Sequence, residues 1–379
     1  MTYLAIIRQK FNPAGGAERV VSAILRQLQG QQALQPVLIN RRWEPVPGIE
    51  ARSVNPFYLG SVWRDWGFAR AARRVWQQLP ADLVLSHERI PGCHVYRADD
   101  GVHAAWLDVR RQRGGLAARV SMALNPYHHY MRAMEQRMYR DPAFRGVVCI
   151  SEMVKRDVIQ YTGLPAERCH VIYNGIDTAF FNPQDARAQR DALRQQYGFG
   201  SETPVLLYVG SGFERKGLAQ ALHAIVPHPA VQLVVVGSDK KSRRYQALAQ
   251  QLGVGKRVHF AGAQRDVRSY YGMADGFILP SIYEPFGLVV AEAMACGLPV
   301  LTSTRCGGGE LVQPGLTGWL AAPDAKDDWQ HNVGLWLAAS QGWPLMAEAA
   351  RRAVLPFTEA RMVDEMLTLF RRLRAREAA

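Results

Sequence analysis

Short, nearly unbroken apolar runs recur along this 379-residue chain, and each leads into helix-forming sequence. YLAIIRQ (3–9), PVLINRR (36–42), DLVLSHE (82–88), GVVCISE (146–152) and CHVIYNGID (169–177) form a first series. Helical stretches follow the first and fourth runs, from about Ala17 to Gly30 and from Met153 to Thr162. A polar segment rich in Gln, Arg and Ala (184–200) precedes a second series. That series comprises PVLLYVG (204–210), VQLVVVG (231–237), RVHFAG (257–262), GFILPS (276–281) and PVLTS (299–303). Strands apolar on both faces need helices on both sides of their sheet, which is the condition of a parallel, doubly wound α/β fold. The two series predict two such halves with a boundary near 165–200 and ligand sites beyond the C-terminal ends of the strands.

Charge narrows the partners. Lys and Arg number 46 against 33 acidic residues, a formal net charge of +13. Such a balance favours nucleic acid, an acidic lipid surface or a phosphorylated glycan. Nucleic-acid binding needs a basic stripe with interleaved stacking aromatics or a known module, and neither is present. The five cysteines are scattered without a C-x-x-C pair, which argues against a zinc site or a disulfide framework and fits a reducing cytoplasm. No apolar run is long enough to cross a bilayer, and MTYLAIIRQKF reads as a first strand rather than a signal peptide.

The most chemically specific stretch is EPFGLVVAE, 284–292. Pro285 disfavours helical geometry at Glu284, which places that carboxylate in a turn just past the GFILPS strand. Gly287 lets a backbone approach a ligand closely. From about Phe286 the chain reads as a helix ending near Gly297, with Glu292 about two turns in. A loop carboxylate, a helix carboxylate and the amides of a helix N-terminus suit a ligand bearing both hydroxyls and phosphates.

Three further motifs fall at predicted strand ends. NPAGGAE (12–18) sets Gly15 and Gly16 where amides can meet a phosphate, although a plain tight turn fits equally and the G-x-G-x-x-G pattern is absent. GSGFERKG (210–217) places Arg215 and Lys216 side by side after Gly210, one suited to bidentate and one to point contact with a diphosphate, although a solvated basic turn fits the motif equally well in isolation. DDGVH (99–103) gathers Asp99, Asp100 and His103, where a carboxylate can orient a hydroxyl or take its proton, although two acids and a histidine beside a glycine are more often plain turn chemistry.

These pieces resemble the retaining GT-B glycosyltransferases of family four. The matching residues are GGAE at 15–18, ERKG at 214–217, the E-x7-E of 284–292 and GLPVLTS at 297–303. Within that family the chain is most similar to the branch that glucosylates the inner core of lipopolysaccharide. The resemblance implies two Rossmann-like domains facing each other across a cleft. An acceptor-binding domain would span 1–168 and a nucleotide-sugar domain 169–356, with a helix at about 357–379 packing back on the first. It implies a hexose, best guessed as glucose from UDP-glucose, moved to a lipopolysaccharide core heptose without an obligatory metal or cofactor. Arg215 and Lys216 would hold the donor diphosphate and Glu292 the ribose. Glu284 would lie near the donor sugar, with the amides of Phe286, Gly287 and Leu288 packing on sugar and phosphate. Gly15, Gly16, Gly210 and His103 would complete the donor site, backbone around Gln264–Val267 would meet the base, and Asp100, with Asp99 competing, would serve as catalytic-site acid. Ser211 stands where many members carry an Arg.

Residues 104–132 carry Trp106, Arg110, Arg111, Arg113, Arg119, Tyr127, Tyr130 and Arg132 against the single acid Asp108. LAARVSMAL (116–124) within it reads as an amphipathic helix. This composition suits an anionic lipid interface, although an inter-domain loop with Arg on a solvated face fits it too; the resemblance, with its lipid-anchored acceptor, implies a peripheral protein on the cytoplasmic face of an inner membrane.

Overall fold

A computed structural model describes residues 2–10, 16–28, 34–44 and 46–375. The chain divides into two compact units, one of residues 1–175 with 359–379 and one of residues 176–358. Each is built on one fully parallel sheet.

The first sheet contains β1 (Thr2–Ile7), β2 (Leu34–Asn40), β3 (Glu50–Ser53), β4 (Ala81–Ser86), β5 (Val95–Arg97), β6 (Gly146–Cys149) and β7 (Cys169–Val171). Its order is β3-β2-β1-β4-β5-β6-β7. The helices of this unit are α1 (Gly16–Leu28), α2 (Gly60–Gln78), α3 (His103–Arg113), α4 (Leu116–Leu124), α5 (Pro126–Tyr139) and α6 (Glu152–Thr162). Ser151 caps α6 by accepting from the Val154 amide, and Gly163 ends it in the left-handed conformation. The sequence reading began the second domain at 169. The structure instead hydrogen-bonds β7 to β6, so the first unit continues to Gly175.

The second sheet contains β8 (Val205–Val209), β9 (Gln232–Val236), β10 (Val258–Gly262), β11 (Gly276–Leu279), β12 (Val300–Ser303) and β13 (Gly318–Ala321), in the order β10-β9-β8-β11-β12-β13. Around it lie α7 (Pro183–Arg187), α8 (Arg190–Gln196), α9 (Leu218–Ala224), α10 (Ser242–Gln251), α11 (Arg268–Met273), α12 (Leu288–Ala295), α13 (Lys326–Ala338) and α14 (Trp343–Val354). Every residue of β8, β11 and β12 is buried, which is why these strands read as unbroken apolar runs. The last helix, α15 (Glu359–Ala375), returns to the first unit and packs on α1 and β4. Its Met362, Met366, Leu369, Phe370 and Leu373 form one buried stripe.

Both sheets reverse direction at one place: between β1 and β4 in the first, and between β8 and β11 in the second. Loops leaving neighbouring strands diverge there and open a crevice at the strand C-termini, where doubly wound folds bind ligands.

Candidate active site

At the second unit's switch point the loop after β8 meets the loop after β11. Gly210 leaves β8 at a φ of 156°, and a side chain there would collide with the Lys216 stem. The missing Cβ lets Lys216 fold back over the strand end. The turn is held by Phe213, buried at its centre, whose amide donates to Asp239 at 2.9 Å. Gly217 closes the turn at a φ of 74°, with its α-carbon packed against the Pro280 carbonyl. The helix predicted from about Lys216 therefore starts two residues later, at Leu218.

Arg215 and Lys216 converge on one carboxylate. Arg215 Nη1 donates to Glu284 Oε2 at 2.8 Å and to the Tyr283 carbonyl at 3.3 Å. Lys216 Nζ lies 4.0 Å from the same Glu284 oxygen. Glu284 is in turn fixed through its backbone. Its amide donates to Arg305 and its carbonyl accepts from Gly307, each at 2.9 Å. Two cations against one acid leave a net positive site that an anionic group can enter.

The following turn is built on Gly287, with a φ of 82° and no room for a Cβ beside Cys306 Sγ. Burial pushes the Cys306 thiol up to about 12, so it stays protonated and donates to the Phe286 carbonyl at 3.2 Å. The Gly308 amide donates to that carbonyl as well, at 2.5 Å. The helix expected from Phe286 begins at Leu288, which puts Glu292 one turn in rather than about two. Glu292 is buried and accepts from the Tyr271 hydroxyl at 3.0 Å. Val267 caps α11 and accepts the Tyr270 and Tyr271 amides through its carbonyl. Gln264 is exposed and turns back onto Ala261, and exposed Ser211 accepts from the Ser238 amide at 3.3 Å.

In the first unit the ends of β1 and β4 carry a second polar cluster. Glu88 accepts the Gln9 amide at 2.9 Å and lies 3.7 Å from Arg8. Asp99 and Asp100, neighbours in sequence, part company here. The Asp99 side chain is 3% exposed, ion-paired with buried Arg97 and 2.5 Å from His87 Nδ1. Burial alone would raise its carboxyl, but Arg97 and the His87 hydrogen bond hold it down at about 2. Burial lowers His87, so its imidazole is neutral and donates through Nδ1. Arg97 also reaches Asn174 at 2.6 Å and Met362 Sδ at 3.5 Å, tying β5 to the chain segments at the end of the unit. Asp100 is exposed.

His103 opens α3, away from Asp99. Its Nε2 is 3.2 Å from His128 Nδ1 and its amide donates to Glu135 at 3.2 Å. Burial first, then Arg89 and other nearby cations, lower it to about 3, so it is neutral at physiological pH. Arg89 donates to Glu135 at 3.0 Å and to the Gly101 carbonyl at 2.8 Å, fixing the turn that carries Asp100. Gly16 is the first residue of α1, and Gly15 lies outside the described residues.

The structure thus gathers Gly210, Arg215, Lys216, Glu284, Phe286, Gly287 and Leu288 in one neighbourhood of the second unit, with Glu292 on the helix that follows. His103 and Asp100 belong to the first unit. Sequence reasoning missed Tyr271, 21 residues from the acid it serves, and the paired roles of His87 and Arg97. It also missed Gly307 and Gly308, whose amides donate to the Glu284 and Phe286 carbonyls of the EPFG turn; the triple glycine after PVLTS was their signal.

The chain is similar to known glycosyltransferases in sequence and in fold. A family model described as "Glycosyl transferases group 1" matches residues 189–353, and one described as "Glycosyltransferase Family 4" matches 14–180. The chain is similar to the lipopolysaccharide glucosyltransferase WaaG of Escherichia coli, 31% identical over 259 residues, or 67% of each chain. It is also 31% identical over 251 residues to D-inositol 3-phosphate glycosyltransferase of Mycobacterium tuberculosis, covering 64% of this chain and 51% of that one. Among solved structures, a WaaG involved in lipopolysaccharide biosynthesis matches with a TM-score of 0.82 at 24% identity, covering 97% of this chain and 99% of that one. Anabaena HepE in complex with UDP-glucose matches at 0.71 and 21%, covering 97% and 100%.

Proposed function

The chain belongs to the family-four glycosyltransferases of the GT-B fold, and from that premise we propose that it moves glucose from UDP-glucose to a heptose of the lipopolysaccharide core, with retention at the anomeric carbon. The observation that carries this reading is the convergence of Arg215 and Lys216 on Glu284 at the β8–β11 switch point. The bond from the sugar's anomeric carbon to the β-phosphate oxygen breaks, and negative charge accumulates on the diphosphate. Two cations already fixed at that place stabilise it without reorganising and without an obligatory metal. The acceptor hydroxyl attacks the face the diphosphate leaves, and its proton passes to the departing phosphate. Glu292 holds the ribose, Glu284 and the Phe286–Leu288 turn hold the sugar, Asp100 is the catalytic-site acid and His103 meets a donor hydroxyl.

The acceptor is lipid-anchored in this reading, so we place the protein on the anionic cytoplasmic face of the inner membrane. The α3–α5 segment supports that placement. Leu116, Val120 and Leu124 recur at four-residue spacing on α4 and are 79%, 49% and 76% exposed. Arg110 and Arg111 lie on the preceding helix. No helix among the described residues is long and apolar enough to cross a membrane.

A panel of nucleotide sugars against truncated lipopolysaccharides tests the reading, with product mass and anomeric coupling constants as readouts. A gain of one hexose from UDP-glucose with an α linkage is expected. No transfer to any heptose-terminated acceptor, or an inverted anomer, would overturn it. Inositol 3-phosphate belongs in the same panel, because the mycobacterial relative is equally identical over its matched segment.

A further inference from the structure

Away from the polar cluster described above, the first unit has a groove of about 360 Å³ between α2, α5 and the loop after β4. One wall is a helical stripe of α2, with Trp66, Arg70 and Arg73 at i, i+4 and i+7 and Arg74 beside them. Tyr130 and Met134 of α5 form the facing wall, and Ile90 and Pro91 lie along the floor. None of the ten lining residues is acidic. Asp65, next to Trp66 in sequence, already accepts from Arg64 at 2.7 Å and from Gln9 and Tyr127 at 3.1 Å. Among the described residues Arg70, Arg73 and Arg74 have no ion-pair partner. Three arginines lining one groove give it positive charge that an entering anion offsets.

The groove is shaped as well as charged. The Arg73 guanidinium lies against Gly92, where φ is 92° and a Cβ would stand 3.2 Å from Arg73 Cζ. The glycine thus leaves the space the guanidinium fills. Arg70 sits 5.9 Å from the Trp66 ring centroid. Burial, with Asp65 and Tyr127 nearby, raises the Tyr130 phenol, so its hydroxyl stays protonated. Arginines match phosphoryl oxygens through bidentate donors. Trp and Tyr rings present apolar faces of the kind that cover the C–H face of a pyranose. The cavity is within the size range of small-molecule sites and holds one phosphorylated sugar.

We propose that this groove is a binding subsite for a phosphoryl group esterified to a saccharide, distinct from the diphosphate site at Arg215 and Lys216. The proposal deepens the transferase reading, since it makes the acceptor a phosphate-bearing glycan. Its test nevertheless reads binding, not transfer, so the two can fail separately.

The test is calorimetric titration of the full chain with glucose 6-phosphate in saturating UDP, which keeps the sugar phosphate out of the donor site. Glucose, inorganic phosphate and phosphatidylglycerol–phosphatidylcholine vesicles serve as parallel probes. Saturable glucose 6-phosphate binding is expected. The Arg70→Gln/Arg73→Gln/Arg74→Gln variant should weaken it at least tenfold while keeping UDP affinity and the circular dichroism melt. Trp66→Ala should weaken glucose 6-phosphate more than it weakens inorganic phosphate. Equal affinity of the triple variant for glucose 6-phosphate overturns the proposal. So does inorganic phosphate binding as tightly as the sugar phosphate. A triple variant that loses vesicle binding alone would make the groove a lipid-headgroup site and would also overturn it.

Discussion

Glu292 illustrates how a buried carboxylate can be held in place. Tyr271 donates to one of its oxygens, which orients it on α12. Glu292→Ala should weaken UDP binding by about 1.5–3 kcal/mol, read by calorimetry. Unchanged affinity would remove it from the ribose. Lys216→Ala should lower kcat far more than Tm, because its charge matters most as the diphosphate leaves. Asp99 and Asp100 make the sharper contrast. Asp100→Asn should cut turnover with an unchanged melt, since its side chain is exposed. Asp99→Asn should cost about 3–5 kcal/mol of stability, because it leaves buried Arg97 without its carboxylate. The pH dependence carries the same signature. The Asp99 carboxyl is held at about 2 against an ordinary 3.8, so its contribution is full above 3.8 and is lost as pH falls through 2. Acid melts of the wild type should show a loss of stability in that window, and melts of Asp99→Asn should not.

At the scale of elements, function depends on turns whose backbone only glycine adopts freely. Gly212 and Gly217 lie in the same loop with φ of 77° and 74°. A Cβ at Gly212 meets nothing within 4 Å, whereas one at Gly217 runs into the Pro280 carbonyl. Gly212→Ala should then cost only the left-handed strain, about 1 kcal/mol, and keep activity. Gly217→Ala must also separate the β8 loop from the β11 loop, so it should cost clearly more and impair transfer by shifting Arg215 away from Glu284. Equal melts for the two variants would mean the loops are not locked together there. Much of this level was legible. The strands buried on both faces stood out as apolar runs, and the helix starts read at about Ala17, Met153, Lys216 and Phe286 lie within two residues of the observed Gly16, Glu152, Leu218 and Leu288. β3 and β13 were missed, and β5 was legible only as the strand end ahead of DDGVH. β3 is an exposed edge strand of mixed composition, EARS, and β5 is only three residues long. β13, GWLA, is a short strand begun by a glycine, which sequence rules read as a turn.

For the whole molecule, a net charge of +13 is a statement about surfaces and partners, not about the fold. It bears on α3–α5, where Arg111 is paired with Asp108 at 3.1 Å and Arg110 lies 5.8 Å from the Trp106 ring. Replacing Arg110, Arg111 and Arg113 with Gln should weaken binding to anionic vesicles by about 1 kcal/mol per residue, with Arg111 contributing least. That component should vanish at 1 M salt, where the Debye length is about 3 Å. Leu116→Ser/Leu124→Ser should weaken a second component that salt leaves in place, because burial of apolar surface is not screened. Sedimentation with vesicles at low and high salt separates the two. Loss of neither component would detach this segment from the membrane.

Sequence alone determined the α/β class, the two parallel sheets and the residue types at the second unit's switch point. These follow from local rules: apolar periodicity, glycine at strand ends, and a proline that breaks a helix. Spacing placed Glu284 beyond a strand and Glu292 on a helix, and the basic pair at 215–216 on a loop. Only the tertiary structure decided that Arg215 and Lys216 share Glu284, across some seventy residues of chain. It alone turned Asp99 inward to Arg97 and His87 while leaving Asp100 in solvent, a distinction invisible in two adjacent identical letters. It alone assigned residues 169–175 to the first unit and drew Trp66, three arginines and Tyr130 around one groove. Each of these depends on which strands pair and which helices pack. Such contacts join residues far apart in sequence, so no local pattern encodes them.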